Sequence, residues 1–250
     1  MAKSWQTDQR LPISSCGIRR HASIVAHVRA LLFFIIIVLQ SAVAPAQEHV
    51  SFPTSDGWLI HAHRYGEGKR GIVLVHGGRF TKESWAKQAR TLTNAGFAVL
   101  AIDMRGYGES TNGPAALRSD FGSPLDVLAA VRYLQKTGAT NVCVIGGSMG
   151  GAAAGEASAQ AGPGEIDRMI FIGSEGGDRP EQMKGRKLFI TSRNDVGPEL
   201  RLPTIRAHYE RTPAPKELIV LEGSAHAQFI FATDQGERLM REILGFLSAP

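Results

Sequence analysis

Short apolar runs alternate along the chain with longer stretches in which apolar positions recur every three or four residues. Val50–Pro53 and Trp58–Arg64 alternate in the strand manner, and the turn signal Ser55-Asp56-Gly57 separates them. Together they predict an antiparallel hairpin. Ile72–Val75 is apolar at every position, as a strand covered on both faces of a parallel sheet must be. Similar runs recur at Phe97–Ile102, Val142–Ile145, Met169–Ile172, Leu188–Thr191 and Leu218–Leu221. Helical spacing predicts helices over Lys82–Asn94, Leu125–Lys136, Met149–Ala161, Glu199–Arg211 and Gln235–Leu247. In the second of these, Val127, Leu128, Val131 and Leu134 share a face, Ser123 stands where an N-cap belongs and Gly138 stops the helix. Strand alternating with helix predicts an α/β fold, a mostly parallel sheet with helices on both faces. No internal repeat or linker interrupts it after residue 47.

The first 46 residues read differently. Residues 30–39 are continuously apolar, Arg19, Arg20 and Arg29 precede them, and Ala44-Pro45-Ala46 follows. This is the pattern of a signal peptide: basic start, apolar centre, small-residue cleavage site. The apolar stretch makes about 15 Å of helix, half the thickness of a hydrocarbon layer. Cleavage between Ala46 and Gln47 is therefore expected, with export to a periplasm or the exterior and a mature domain over 47–250. An uncleaved anchor is the alternative, and the one route to membrane contact. The leader also explains the charge. The chain has 28 basic and 23 acidic residues, of which the leader holds five and one. The 23 and 22 that remain nearly balance, so no nucleic-acid-binding surface is indicated. The mature chain keeps a single cysteine, Cys143, inside an apolar strand pattern, where it reads as a small core residue. A hydrophobic content of 43% excludes a disordered chain, and 250 residues suit one α/β domain.

The sharpest chemical signal is Gly146-Gly147-Ser148-Met149-Gly150, a G-x-S-x-G between a predicted strand and a predicted helix. A serine at the tip of such a turn takes a strained backbone conformation. Its neighbours two positions away come too close for a Cβ, hence the elbow glycines Gly146 and Gly150. A serine hydroxyl needs a base. His226 comes five residues after Leu221, beyond the last strand, at the carboxyl edge where ligands bind in such sheets. His208 lies mid-helix and reads as solvated. His61-Ala62-His63 forms an H-x-H, yet no third ligand lies near it in sequence, so no metal site is expected. The base needs an orienting carboxylate, and Asp195 follows the preceding strand. Glu175, one strand earlier, is the rival. The order Ser148, Asp195, His226 is that of α/β-hydrolases and not that of chymotrypsin or subtilisin.

An oxyanion hole needs two N–H donors. The backbone N–H of Met149 is one. The loop His76-Gly77-Gly78-Arg79-Phe80 should give the other, from Gly78 with Arg79 next, while His76 braces the loop. Phe80, Arg79, Met149 and Trp85 are candidate pocket residues; Trp85 reads equally as core. Arg79 would favour acidic acyl groups if it faces the site. Gly66–Gly71 spells G-x-G-x-x-G but precedes a strand, whereas the dinucleotide fingerprint must open a helix. It is expected to be a hairpin-type connection.

These residues, with Asp103-Met104-Arg105-Gly106-Tyr107-Gly108-Glu109-Ser110 after the fourth strand, resemble the α/β-hydrolase superfamily over about residues 50–248. Within it the chain looks like the small serine esterases and acyl hydrolases. The resemblance implies that Asp103 and Arg105 shape a loop beside the site. The serine at 148 departs from dienelactone hydrolases, where cysteine attacks, and from dehalogenases and epoxide hydrolases, where aspartate does. Only Ser174–Arg186 occupies the place where the family inserts a cap, too short for a lid, and Gly106–Gly122 is expected to border the entrance. The implied activity is hydrolysis of carboxylic esters or thioesters on a small acyl substrate, with no cofactor. An acyltransferase or peptidase would use the same three residues, and an exported binding protein with this fold is the non-enzymatic alternative.

Overall fold

A computed structural model describes residues 47–113, 123–197 and 200–249. The expected leader, residues 114–122 of the expected entrance loop and Glu199 of the predicted fourth helix lie outside the described residues.

Eight strands form one sheet: β1 (Gln47–Pro53), β2 (Leu59–Tyr65), β3 (Arg70–Val75), β4 (Ala98–Ile102), β5 (Asn141–Gly147), β6 (Arg168–Ile172), β7 (Arg186–Ser192) and β8 (Lys216–Leu221). Their spatial order is β1-β2-β4-β3-β5-β6-β7-β8. β1 and β2 pair antiparallel, with Pro53 opposite Leu59 across the expected turn. β2 also runs antiparallel to β4, and every later pair is parallel. The Gly66–Gly71 segment is thus not a hairpin connection. β4 lies between β2 and β3 and takes the hydrogen bonds of both, so the segment passes across the sheet.

The runs that are apolar throughout are explained by two cores. Along β3, Val73 and Val75 enter one core while Ile72 and Leu74 enter the other. On the first face pack α2 (Pro124–Lys136), α3 (Met149–Gln160) and α4 (Arg201–Arg211). On the second pack α1 (Ala86–Asn94) and α5 (Gly236–Ser248). Each fully buried aliphatic or aromatic side chain here contributes about 1.5–3 kcal/mol. Cys143 is buried in the second core, and burial pushes its thiol well above the ordinary range. Ser123 caps α2, its Oγ accepting the N–H of Leu125 at 3.3 Å, and Gly138 follows the helix with φ of 113°. The small residues of α3 let it lie close to its neighbours; a Cβ at Gly155 would strike the backbone of Gly176.

The predicted helix over Lys82–Asn94 begins one turn late. Lys82–Trp85 is a 3₁₀ turn, because the backbone N–H and the ammonium of Lys82 are both held by the carboxylate of Asp103. Between β6 and β7 only the short 3₁₀ turn Pro180–Gln182 intervenes, so no cap domain stands there. Among the described residues, no helix is long and apolar enough to cross a membrane.

Candidate active site

The turn from β5 into α3 carries Ser148 at φ 50°, ψ −117°, a left-handed conformation that costs a residue with a Cβ about 1–3 kcal/mol. The flanking glycines permit it. A Cβ at Gly146 would collide with the carbonyl of Gly150, and one at Gly150 would come 2.6 Å from the carbonyl oxygen of His76. Ser148 is held by its own N–H, which donates to Ile172 O at the end of β6 (3.0 Å).

Two loops at the same edge of the sheet meet it. Asp195 follows β7 and is fully buried. His226 follows β8. The loops are laced together: Arg193 N–H donates to Leu221 O (2.8 Å), Asn194 N–H to Gly223 O (2.9 Å) and Ser192 Oγ to Ala225 O (2.7 Å). His226 Nδ1 lies 2.8 Å from Asp195 Oδ2, and His226 Nε2 lies 2.8 Å from Ser148 Oγ. An ionised carboxylate only accepts, so the imidazole proton sits on Nδ1. Nε2 is then free to accept the serine proton. The other carboxylate oxygen, Oδ1, is 3.5 Å from Nε of Arg201, which also donates its backbone N–H to Asp195 O (2.9 Å). It is Asp195, and not Glu175, that reaches His226. His208, expected to be solvated, is half-buried in α4 with its Nδ1 shielded from solvent.

The loop after β3 lies beside the serine. His76 is fully buried; its Nε2 accepts the N–H of Met104 (3.1 Å), so its Nδ1 carries the proton and donates to Gly77 O (2.9 Å). Burial holds this imidazole below its ordinary pKa, the neutral form that both bonds require. His76 thus braces the loop, as expected. Gly78 and Arg79 are exposed and Met149 is half-buried. Among the described residues no hydrogen bond uses the N–H of Gly78 or of Met149, whereas that of Gly77 donates to Gln228 Oε1 (2.7 Å). Phe80 stacks obliquely on Phe229 with ring centroids 4.9 Å apart. Trp85 is no pocket residue; it is buried in the second core against Phe231. Val196, Leu200 and Phe229 are the exposed large apolar side chains among the described residues, and all three follow the loops that carry Asp195 and His226.

Asp103 and Arg105 anchor the loop after β4. Arg105 is buried and binds Asp126 of α2 through Nε (2.9 Å) and Asp56 of the first turn through Nη1 (2.7 Å). Lys82, also buried, meets Asp103 (2.7 Å), Glu109 (2.6 Å) and Glu83 (2.9 Å). Burial works against its charge, but these three carboxylates hold its pKa well above the ordinary lysine value.

Three features escape the sequence. Gln228 Oε1 ties the His226 loop to Gly77, and its Nε2 donates to Ser84 Oγ (2.8 Å). Gly173, φ 60°, lets the ends of β6 and β7 close; a Cβ there would come 2.8 Å from Ala227 N and 3.2 Å from Asp195 Oδ2. Ala227 itself has φ of 47°. Gln228 and Gly77 are 151 positions apart, so no local pattern joins them.

A family model described as the alpha/beta hydrolase fold matches residues 72–196. A putative non-heme chloroperoxidase of Synechocystis sp. is 32% identical over 112 residues, 44% of this chain and 34% of that protein. Bifunctional epoxide hydrolase 2 of Sus scrofa is 37% identical over 95 residues, 38% of this chain and 17% of that protein. The chain thus spans about a third of the length of the first of these curated relatives and about a sixth of the second. An esterase of Pyrococcus furiosus has a similar structure, with a TM-score of 0.67 at 18% identity, covering 82% of this chain and 94% of that one.

Proposed function

The chain belongs to the alpha/beta hydrolase fold family, and from that premise we propose that it is a serine hydrolase of carboxylic esters acting through Ser148, His226 and Asp195. The observation that carries this reading is the continuous chain of hydrogen bonds, 2.8 Å at each link, from Ser148 Oγ through the imidazole to the buried carboxylate.

His226 Nε2 takes the proton of Ser148 Oγ as that oxygen attacks the ester carbonyl. The N–H groups of Met149 and Gly78 receive the negative charge that develops on the carbonyl oxygen. His226 passes its proton to the departing alcohol, leaving an acyl group on Ser148. It then takes a proton from water, which attacks the acyl carbonyl and frees the acid. Asp195 keeps the proton on Nδ1 and stabilises the charged imidazole. No step needs a metal or organic cofactor. The strained backbone at Ser148 supports the reading, since such strain persists only where surrounding structure enforces it. The serine at 148 also sets the chain apart from the aspartate nucleophile of epoxide hydrolases. With no cap domain between β6 and β7, and exposed apolar Val196, Leu200 and Phe229 following Asp195 and His226 in the chain, short accessible acyl groups are the substrates favoured. Export by the leader is part of the same proposal.

The test is turnover of p-nitrophenyl acetate and butyrate. The native chain hydrolyses them and Ser148→Ala, folded by circular dichroism, does not. Undiminished turnover in the mutant would refute the nucleophile.

A further inference from the structure

We propose a structural divalent-metal site of the zinc type, held by His49, His61 and Glu109. It lies on the β1–β2 edge and involves none of the residues assigned to ester hydrolysis.

In sequence the H-x-H pair of His61 and His63 has no third ligand. Folding supplies two. His49 lies on β1, directly opposite His63 and diagonal to His61, so its ring reaches the same face of the sheet. The His49 and His61 rings are stacked with centroids 5.3 Å apart. Glu109 arrives from the loop after β4, its Oε2 3.0 Å from His49 Nε2. Each of the three residues offers one ligand atom, and these atoms lie within 4.8 Å of one another. Around a tetrahedral zinc with bonds of about 2.0–2.2 Å, ligand atoms stand roughly 3.3–3.6 Å apart. Glu109 Oε2 is held in place by Lys82 Nζ (2.6 Å), and a small rotation of the half-exposed His49 side chain closes the difference.

Two independent observations point to a cation there. The Nδ1 atoms of His61 and His63 are shielded from solvent and have no hydrogen-bond partner among the described residues. Buried polar atoms are ordinarily satisfied, so a shielded imidazole nitrogen without a partner, beside a cluster of ligand atoms, is open to an ion. Charge is also unbalanced. Lys82 Nζ is the ammonium that meets the carboxylates of Glu83, Asp103 and Glu109, three negative groups against one positive beside these imidazoles. A divalent cation restores balance. Two nitrogens and a carboxylate oxygen suit zinc or its Irving–Williams neighbours, and not magnesium or calcium, which prefer oxygen alone. His63, its ring centroid 6.0 Å from that of His49, is placed to complete or flank the set. The ion would staple the loop bearing Asp103, Arg105 and Glu109 onto the first two strands.

The experiment is calorimetric titration of the whole chain, stripped with EDTA, using zinc chloride and in parallel magnesium chloride. The result expected is one zinc bound, none of magnesium, and a melting temperature raised by about 5 °C in excess zinc. His49→Ala and Glu109→Gln, both at exposed positions that leave the core intact, each weaken zinc by at least about tenfold. His208→Ala and Ser148→Ala bind as the native chain does, so the outcome does not depend on the proposed hydrolase chemistry. Absence of saturable zinc binding up to millimolar concentration overturns the site. So does binding that His49→Ala and Glu109→Gln leave unchanged, which would mark an adventitious ion elsewhere.

Discussion

Asp195 is buried with one carboxylate oxygen on His226 Nδ1, and that placement makes the carboxylate matter beyond its charge. Asp195→Asn keeps the shape but offers an amide N–H to Nδ1, which then keeps the wrong tautomer. By analogy with the serine-protease triad, kcat for p-nitrophenyl butyrate should fall about 10⁴-fold. Glu175→Gln should leave it within a factor of about two or three, since among the described residues no hydrogen bond joins Glu175 to the imidazole; a large loss there with a small loss at Asp195 would reverse the assignment. At this scale the sequence was informative wherever function is written in local spacing. Gly146 before Ser148 is such a case, because its conflict with the Gly150 carbonyl is between residues four apart, whereas Gly150 is required by the backbone of Val75 and His76. Gln228, Gly173 and Ala227 were not legible. Their roles come from contacts between chain ends of separate strands, and nothing in their neighbours marks them.

The elements follow the apolar periodicity closely, and the departures have tertiary causes. The first turn of the helix over Lys82–Asn94 gives way to a 3₁₀ turn because Asp103, 21 positions on, captures both the N–H and the ammonium of Lys82. The same pair fastens the loop after β4 to the segment that follows the His76–Phe80 loop. Lys82→Met should therefore destabilise the protein by about 3–5 kcal/mol, because it strands the buried charge of Asp103. Urea unfolding monitored by circular dichroism reads this out. A loss below about 1 kcal/mol would mean the pair behaves as an exposed ion pair. The connection through Gly66–Gly71 shows the other limit of local reading. Two strands adjacent in sequence read as a hairpin until a third strand, β4, is known to lie between them.

For the whole molecule, the arrangement is a sheet with a core on each face and its loops gathered at one edge, and that much was readable from strands apolar throughout alternating with amphipathic helices. Which loops converge was readable only through the order of motif residues. Acid stability belongs to this scale. Burial depresses the pKa of His76 and of His63 below the ordinary imidazole value of about 6.5. Between the depressed value and the ordinary one, the unfolded chain binds protons that the folded chain refuses. Stability is thus fully present above about pH 6.5 and declines as pH falls through that window. Urea midpoints should drop between pH 7.5 and 5.5, and His76→Asn should flatten that slope. Equal slopes in mutant and native protein would show that His76 is not held neutral.

The central claim is that Ser148 Oγ is nucleophilic because His226 and Asp195 act on it. Its most direct test is reaction with a fluorophosphonate followed by peptide mass mapping. One adduct is expected, on Ser148, at a rate sharply reduced by His226→Ala. A folded native chain that takes up no label, or takes it up at another residue with Ser148 unmodified, would contradict it.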